Sequence, residues 1–236
     1  MSGARGAGGG RDVSGARGAG GEVPGELGLR ERKKRRTREL ISETAIGLFL
    51  EKGFDAVSVA EIAAAADVSK PTLFRYFPAK EDLALHRFAD HEDEAARTVA
   101  AARRGGVAPL DALRAHFLEG LARRDPVTGL CDHPAVLAFQ RLLYGTPALA
   151  ARLYGHQRGS EAALAAELGG APLMARLAAG QIVAVTRILA EENARRMAAG
   201  EAADAVHPEA VAAAERAFRG LRDGLRELGI SCAHAS

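Results

Sequence analysis

The chain has 236 residues, 47% hydrophobic and 26% charged, with no Trp, two Cys and a net charge of +2. These are the proportions of a soluble protein of one or two domains with a sizeable core. No apolar run approaches the roughly 20 residues of a membrane span, and Met1–Gly28 lacks the apolar core of a signal peptide, so the expected setting is cytoplasmic, with no membrane partner.

Much of the apolar count is Ala, the best helix former and a weak strand former, which favours an all-helical fold. Cys131 and Cys232 lie far apart and, in the cytosol, are expected as free thiols. Charge is unevenly spread. Arg30–Arg38 (RERKKRRTR) holds seven basic residues and one acid, +6 in nine positions, whereas the chain beyond it holds 22 basic and 26 acidic residues, −4. A basic stripe beside a mildly acidic body points to a local polyanion contact, with DNA the usual partner.

In chain order, residues 1–29 form a Gly/Ala/Arg-rich leader in which SGARGAGG occurs twice, at Ser2–Gly9 and Ser14–Gly21. It offers almost nothing to bury and is expected to be disordered. The first periodic segment runs from Arg32 to Lys52, with Ile41, Ala45, Leu48 and Phe49 on one helix face and Gly53 as the stop. Ser58 then reads as an N-cap, with Glu61 completing a capping box for a short helix, Val59–Ala66. After a tight turn at Asp67-Val68, Ser69 caps a third helix, Lys70–Phe77. Pro71 is harmless in its first turn, where amides have no helical partner. Leu73 and Phe77 share its inner face and Pro78 closes it. A fourth helix is expected from Lys80 past His91 towards Arg103.

Beyond Gly105-Gly106 the pattern is helix after helix: Pro109–Arg124, Pro134–Tyr144, Pro147–Leu168, Pro172–Ala199 and Pro208–Leu228, with no strand pattern of useful length. The fold class is all-α: an N-terminal three-helix helix-turn-helix domain over residues 30–90 and a C-terminal helical effector-binding and dimerisation domain over residues 91–236.

Three short helices, the third entered by a tight turn and the whole preceded by a basic arm, describe a helix-turn-helix DNA reader. Small Ala63, Ala64 and Ala65 allow close packing, and Val68 fills the turn. With Leu73 and Phe77 inward, Lys70, Thr72, Arg75 and Tyr76 face outward, residue types that read base edges or hold phosphates. The run Val57–Leu83, and the chain back to about Arg32, resembles the DNA-binding signature of the tetracycline-repressor (TetR) family. The 27 Arg against 5 Lys match the branch common in high-GC actinobacteria. The C-terminal part resembles the family only in length, helicity and two long final helices.

The resemblance implies roles. Ser58, at a helix N-terminus, would grip a phosphate; Ser69, Lys70, Pro71, Thr72, Arg75 and Tyr76 would meet the major groove; Lys80 would hold a phosphate; and Arg35, Arg36 and Arg38 would reach the flanking backbone or minor groove. Two departures stand out: Asp67 occupies the usual Gly of the turn, and Phe74 replaces a common Tyr. The family also implies a homodimer on a palindromic operator, most often a repressor released by a small-molecule effector.

Polar or semi-polar Tyr144, Tyr154, His156, Gln181 and Arg187 on apolar helices, with Phe117, Leu121, Phe139, Leu143 and Met174 as walls, are candidate ligand contacts; core packing with surface polar groups is the competing explanation. Gly180, Ile182, Val185, Ile188 and Leu189, with Val211, Ala214, Phe218, Leu221 and Leu225, form two apolar stripes; the resemblance implies that this helix pair forms a four-helix dimer interface with its copy, and intramolecular core is the competing explanation. Cys131-Asp132-His133 has neither metal nor triad spacing and reads as a loop without chemistry, and His86 and His91, five apart, as structural or exposed. No paired carboxylates, metal spacing or phosphate loop suggest an enzyme, and no cofactor is expected.

Overall fold

The computed structural model describes residues 24–227. The leader up to residue 23, Cys232 and the expected helix end at Leu228 lie outside the described residues. The chain divides into two compact units, residues 1–37 and 38–236.

In the first unit the described stretch belongs to helix α1, Pro24–Lys52. The helix therefore begins eight residues before the expected Arg32. Residues 29–36 are exposed, and the stretch is held by its own turns: Arg32 Nε donates to the Gly28 carbonyl at 3.1 Å, and Thr37 Oγ1 to that of Lys33 at 3.0 Å.

The second unit holds the rest of α1 and then α2 (Val59–Ala65), α3 (Lys70–Tyr76), α4 (Lys80–Asp90), α5 (Glu94–Arg104), α6 (Pro109–Ala122), α7 (Pro134–Gly145), α8 (Pro147–Leu168), α9 (Pro172–Ala198) and α10 (Ala203–Glu227). A 3-10 turn, Pro126–Thr128, precedes α7. Among the described residues there is no strand. Two apolar clusters organise this unit. One joins Ile41, Phe49, Ile62, Leu73, Phe77 and Leu83 of α1–α4 to Leu143, Leu149 and Leu153 of α7 and α8. The other is built on Val99, Leu121, Leu130, Ile182, Met197 and Phe218 from α5, α6, α9, α10 and the loop before α7. The reader's core is thus closed from outside by α7 and α8.

Three expectations need correction. The fourth helix breaks: α4 ends at Asp90 and α5 starts at Glu94. No Gly or Pro marks the break. The side chains of the intervening turn are taken up by other helices instead, Glu92 by His156 of α8 (3.0 Å) and Glu94, just beyond it, by His116 of α6 (3.2 Å). The last helix starts at Ala203, five residues before Pro208, because Asp132 Oδ2 accepts the Ala203 N–H at 2.9 Å and caps it. Third, α9 is long and apolar enough to pass for a membrane span by length and composition. Its Ala-rich composition makes it apolar without a continuous run of large side chains, and its Ala178, Ala179, Ile182 and Met197 belong to the second cluster.

The loop Cys131-Asp132-His133 has a structural task. Besides the Asp132 cap, His133 Nδ1 accepts the Ala135 N–H at 3.3 Å at the start of α7, and Cys131 is buried as a free thiol. Just before it, Gly129 sits at φ +74°, pressed against α9 so closely that a Cβ there would lie 1.9 Å from the Ala190 carbonyl oxygen. Asn193 Nδ2 donates to the Thr128 carbonyl at 2.9 Å beside it.

Candidate nucleic-acid interface and internal cavity

The reader is shaped by local capping. Ser58, extended at φ −89° and ψ 152°, accepts the Glu61 N–H with its Oγ at 3.1 Å. The Glu61 carboxylate is held below the usual range, first by Lys52 at 2.6 Å and also by the Ser58 backbone N–H, which completes the box. At the turn, Asp67 adopts φ +52°, with Val68 N bonded to Ala63 O at 2.9 Å and Asp67 N to Ala64 O at 3.2 Å. This is the Schellman pairing that a left-handed residue permits, and Asp tolerates that conformation where most residues do not. The exposed Asp67 side chain points away from the core. Ser69 Oγ then accepts the Thr72 N–H at 3.2 Å and lies 2.9 Å from Thr72 Oγ1.

Leu73 and Phe77, each 1% exposed, anchor α3. Its outer face carries Lys70, Pro71, Phe74 and Arg75, all exposed. Tyr76 is half-buried, its ring packed on the reader core, with the Arg75 guanidinium 5.5 Å from its centroid. Thr72 is half-buried and engaged with Ser69.

Two cations expected at DNA also make contacts within the chain. Lys80 Nζ donates to the Phe54 carbonyl at 2.5 Å and lies 4.3 Å from the Phe54 ring centroid, so it ties the start of α4 to the α1–α2 turn. Arg38 lies over the Phe77 ring at 5.6 Å and is half-buried. Arg35 and Arg36, in the first unit, are exposed. His86 is buried edge-on to Phe77 at 5.8 Å.

The joint from α4 to the later helices is dense in charge. Asp82 receives Arg152 Nε of α8 at 2.8 Å. Glu92 fits a notch in α8 opened by Gly159, where a Cβ would fall 1.5 Å from its Oε1. Glu94 takes His116 on one oxygen and His91 on the other, the latter at 2.6 Å. Hydrogen bonds from His116, then from His91, hold the Glu94 carboxyl down at about 2, and the same bond to Glu94 raises His116. Among the described residues no cluster fits a metal ion.

A cavity of about 570 Å³ opens between α1, α4, α7, α9 and the 3-10 turn. Ile46, Gly47 and Leu50 of α1, Phe88 of α4, and Val136, Phe139, Gln140, Leu143 and Tyr144 of α7 contribute to its walls. A second hollow of about 480 Å³ shares Gln140, Tyr144 and Ala194 with it and reaches Tyr154 and Glu191. Burial, then Glu191, pushes the Tyr144 phenol upward. Of the sequence candidates for ligand contact, Phe139, Leu143 and Tyr144 line the first cavity and Tyr154 the second. Phe117 and Leu121 are core residues of the second cluster. His156 is engaged with Glu92, Arg187 pairs with Glu191 at 2.8 Å, and Gln181 lies exposed on α9. Met174 does not line either cavity. The α1 wall and Gln140 were missed. Gly47 inside an otherwise good helix, and a lone Gln in the apolar run AVLAFQRLLY, were the available signals.

The two apolar stripes also divide. Ala214, Phe218, Leu221, Leu225 and Ile182 are buried, and Val185, Leu189 and Val211 pack against them, so the stripe on the last helix packs within the chain as core. Exposed large apolar residues on these later helices include Leu173, Leu177 and Ile188 of α9 and Tyr154 of α8. Only 22% of the most apolar window of α9 is buried.

Residues 41–86 match the family described as bacterial regulatory proteins, tetR family. The chain is 36% identical over 144 residues to the HTH-type transcriptional regulator TcmR of Streptomyces glaucescens, covering 61% of this chain and 63% of that protein. It is 35% identical over 80 residues to the uncharacterized HTH-type transcriptional regulator YuxN of Bacillus subtilis, covering 34% of this chain and 28% of that one. The chain thus spans less than two thirds of the length of these relatives. Among solved structures, NalD, the secondary repressor of the MexAB-OprM multidrug efflux pump in Pseudomonas aeruginosa, superposes with a TM-score of 0.51 at 18% identity, covering 79% of this chain and 96% of NalD; that likeness is one of fold. The capped helix-turn-helix of residues 41–86 is thus similar to the DNA-binding part of the tetR family of bacterial regulatory proteins.

Proposed function

We propose that the protein is a cytoplasmic transcriptional regulator, a repressor that binds a palindromic operator as a homodimer and leaves it when a small molecule occupies the cavity. The observation that carries this reading is the outer face of α3, where Lys70, Pro71, Phe74 and Arg75 stand exposed on a helix anchored by buried Leu73 and Phe77. A rigidly held helix of this size, presenting cations and a short apolar surface, suits major-groove docking. Residues 30–90 serve as the reader, with Ser58, Ser69 and the Arg35-Arg36 arm contributing phosphate contacts, and residues 91–236 as the effector and dimer domain. No catalytic step is invoked.

The dimer face is assigned to α8 and α9. Leu173, Leu177 and Ile188 follow helical spacing on one side of α9, and an apolar face left open on the most apolar helix calls for a partner. A second copy, related by a two-fold axis, would bring the two readers to the roughly 34–36 Å separation of successive major-groove faces. A ligand among α1, α4, α7 and α9 would alter that separation by binding one arrangement better than the other.

The test is fluorescence anisotropy with labelled duplex from the region upstream of the protein's own gene, at two salt concentrations, against scrambled competitor. Salt-dependent binding that survives competitor, with two protomers or a multiple per palindrome, supports the reading. Equal affinity for scrambled DNA points to an architectural binder. No binding to any duplex at low salt overturns it. Sedimentation of a Leu177→Glu, Ile188→Glu variant addresses the dimer separately, with a monomer as the expected result.

A further inference from the structure

The walls of the larger cavity restrict what can occupy it. Phe88 of α4 and Phe139 of α7 face each other with centroids 6.4 Å apart and rings only 20° from parallel, and both line the cavity alongside aliphatic Ile46, Leu50 and Leu143. Flat aromatic surface is what such a pair packs against best. The polar groups are few. Glu43 and Asp125 place two carboxylates in the wall, and Asp125 Oδ1 also accepts the Val127 N–H at 3.0 Å. Among the described residues no Lys or Arg lines the cavity. His91, the one lining group there able to carry positive charge, has Nδ1 against Glu94. Gln140 belongs to the walls of both hollows, and its Oε1 is buried with no donor. An unsatisfied buried acceptor is costly, and a ligand N–H or O–H relieves that cost.

Resting on the effector reading above, we propose that the ligand of this cavity is a planar, lipophilic molecule that carries a hydrogen-bond donor and no negative charge. The planar body lies against Phe88 and Phe139, and the donor meets the Gln140 amide. An anion is disfavoured because it enters a poorly solvated space with Asp125 in its wall and no Lys or Arg among its described lining residues. The volume lies within the usual range of small-molecule sites, about 300–1,000 Å³. Because α1 carries the reader and α7 and α9 belong to the body, such a ligand touches both sides of the regulatory joint directly.

Four anthracenes that differ only at position 9 test the assignment on the full chain by fluorescence titration: the hydroxymethyl, aminomethyl, methyl and carboxylate compounds. The hydroxymethyl and aminomethyl forms should bind about tenfold or more tighter than the carboxylate, and several-fold tighter than the methyl form. The advantage over the methyl form should vanish in Gln140→Leu. Gly47→Leu locates the site, since Gly47 lines the cavity and a Cβ there meets nothing within 4 Å. Leu also favours helix over Gly, so this variant should keep its helical content and a cooperative melting transition, and lose all four compounds. A carboxylate that binds as tightly as the alcohol overturns the ligand class and leaves the cavity as effector site. Binding of the alcohol or amine undiminished by Gly47→Leu overturns the cavity reading itself. No binding of the alcohol or the amine up to their solubility overturns the ligand class.

Discussion

The reader, from the second half of α1 through α3, and the body, from α5 to α10, are both helical, yet different forces fix them. In the reader, nearly every boundary is set by a neighbour in sequence: Ser58 on Glu61, Asp67 at φ +52°, Ser69 on Thr72. In the body, boundaries and faces are set from far along the chain: Asp132 caps α10, Asn193 holds the Thr128 carbonyl, and Gly129 lets α9 approach. Short-range rules therefore define the outer face of α3 that is proposed to meet DNA, and long-range packing defines the cavity and the open apolar face.

The sharpest way to break the body is at its closest approach. Gly129→Ala puts a Cβ 1.9 Å from the Ala190 carbonyl oxygen and 2.8 Å from its carbon, at a φ of +74°. Backbone cannot yield as a side chain does, so the loss should exceed about 3 kcal/mol in chemical denaturation. In the reader, Leu73→Ala should cost about 2–5 kcal/mol and abolish operator binding. Because Leu143, Leu149 and Leu153 close the reader's core, a single unfolding transition is expected. Two separated transitions would show the reader and body to be energetically independent.

At the next level the comparison concerns cations that resemble one another in sequence. Lys70 and Arg75 are exposed on α3, whereas Lys80 is committed to the Phe54 carbonyl. Lys70→Ala and Arg75→Ala should each weaken DNA binding by about 1–3 kcal/mol and leave the melting temperature unchanged. Lys80→Ala should lower the melting temperature and leave the salt dependence of binding intact. Ser69→Ala, which removes the cap of α3, should cost about 1 kcal/mol of stability.

These contrasts mirror what the sequence made legible. Caps, the left-handed Asp67 and the inward pair Leu73 and Phe77 follow from spacing over three or four residues, and the all-helical class follows from composition. Lys80 shows the limit even here, because its carbonyl partner lies 26 residues away. In the body, Phe218, Leu221 and Leu225 look like an apolar stripe whether they meet a second copy or α6 and α9, and periodicity carries no information about which. The break at residues 91–93 is hidden for the same reason: DHEDE has no Gly or Pro, Asp93 makes no side-chain cap bond, and Glu92 is drawn away by a notch at Gly159, 67 positions later in the chain. The cavity depends on α1, α4, α7 and α9 converging, so only isolated oddities such as Gly47 and Gln140 hinted at it.

The joint between the two regions yields the smallest expected effect and one with a definite sign. Glu94 is depressed to about 2 from an ordinary 4.5, so its contribution to stability is complete above about 4.5 and is lost as pH falls through its folded value. His116 is raised above its ordinary 6.5, so its contribution is complete below that value and is lost as pH rises through the raised one. The two overlap between about 4.5 and 6.5, where the α5–α6 contact should be strongest. Both groups are partly exposed, so solvent screening keeps the effect small. Melting temperatures of the native chain and His116→Gln across this range read it directly. The native chain should lose its advantage over the variant as pH rises above the window, and a difference independent of pH would mean that His116 acts by packing alone.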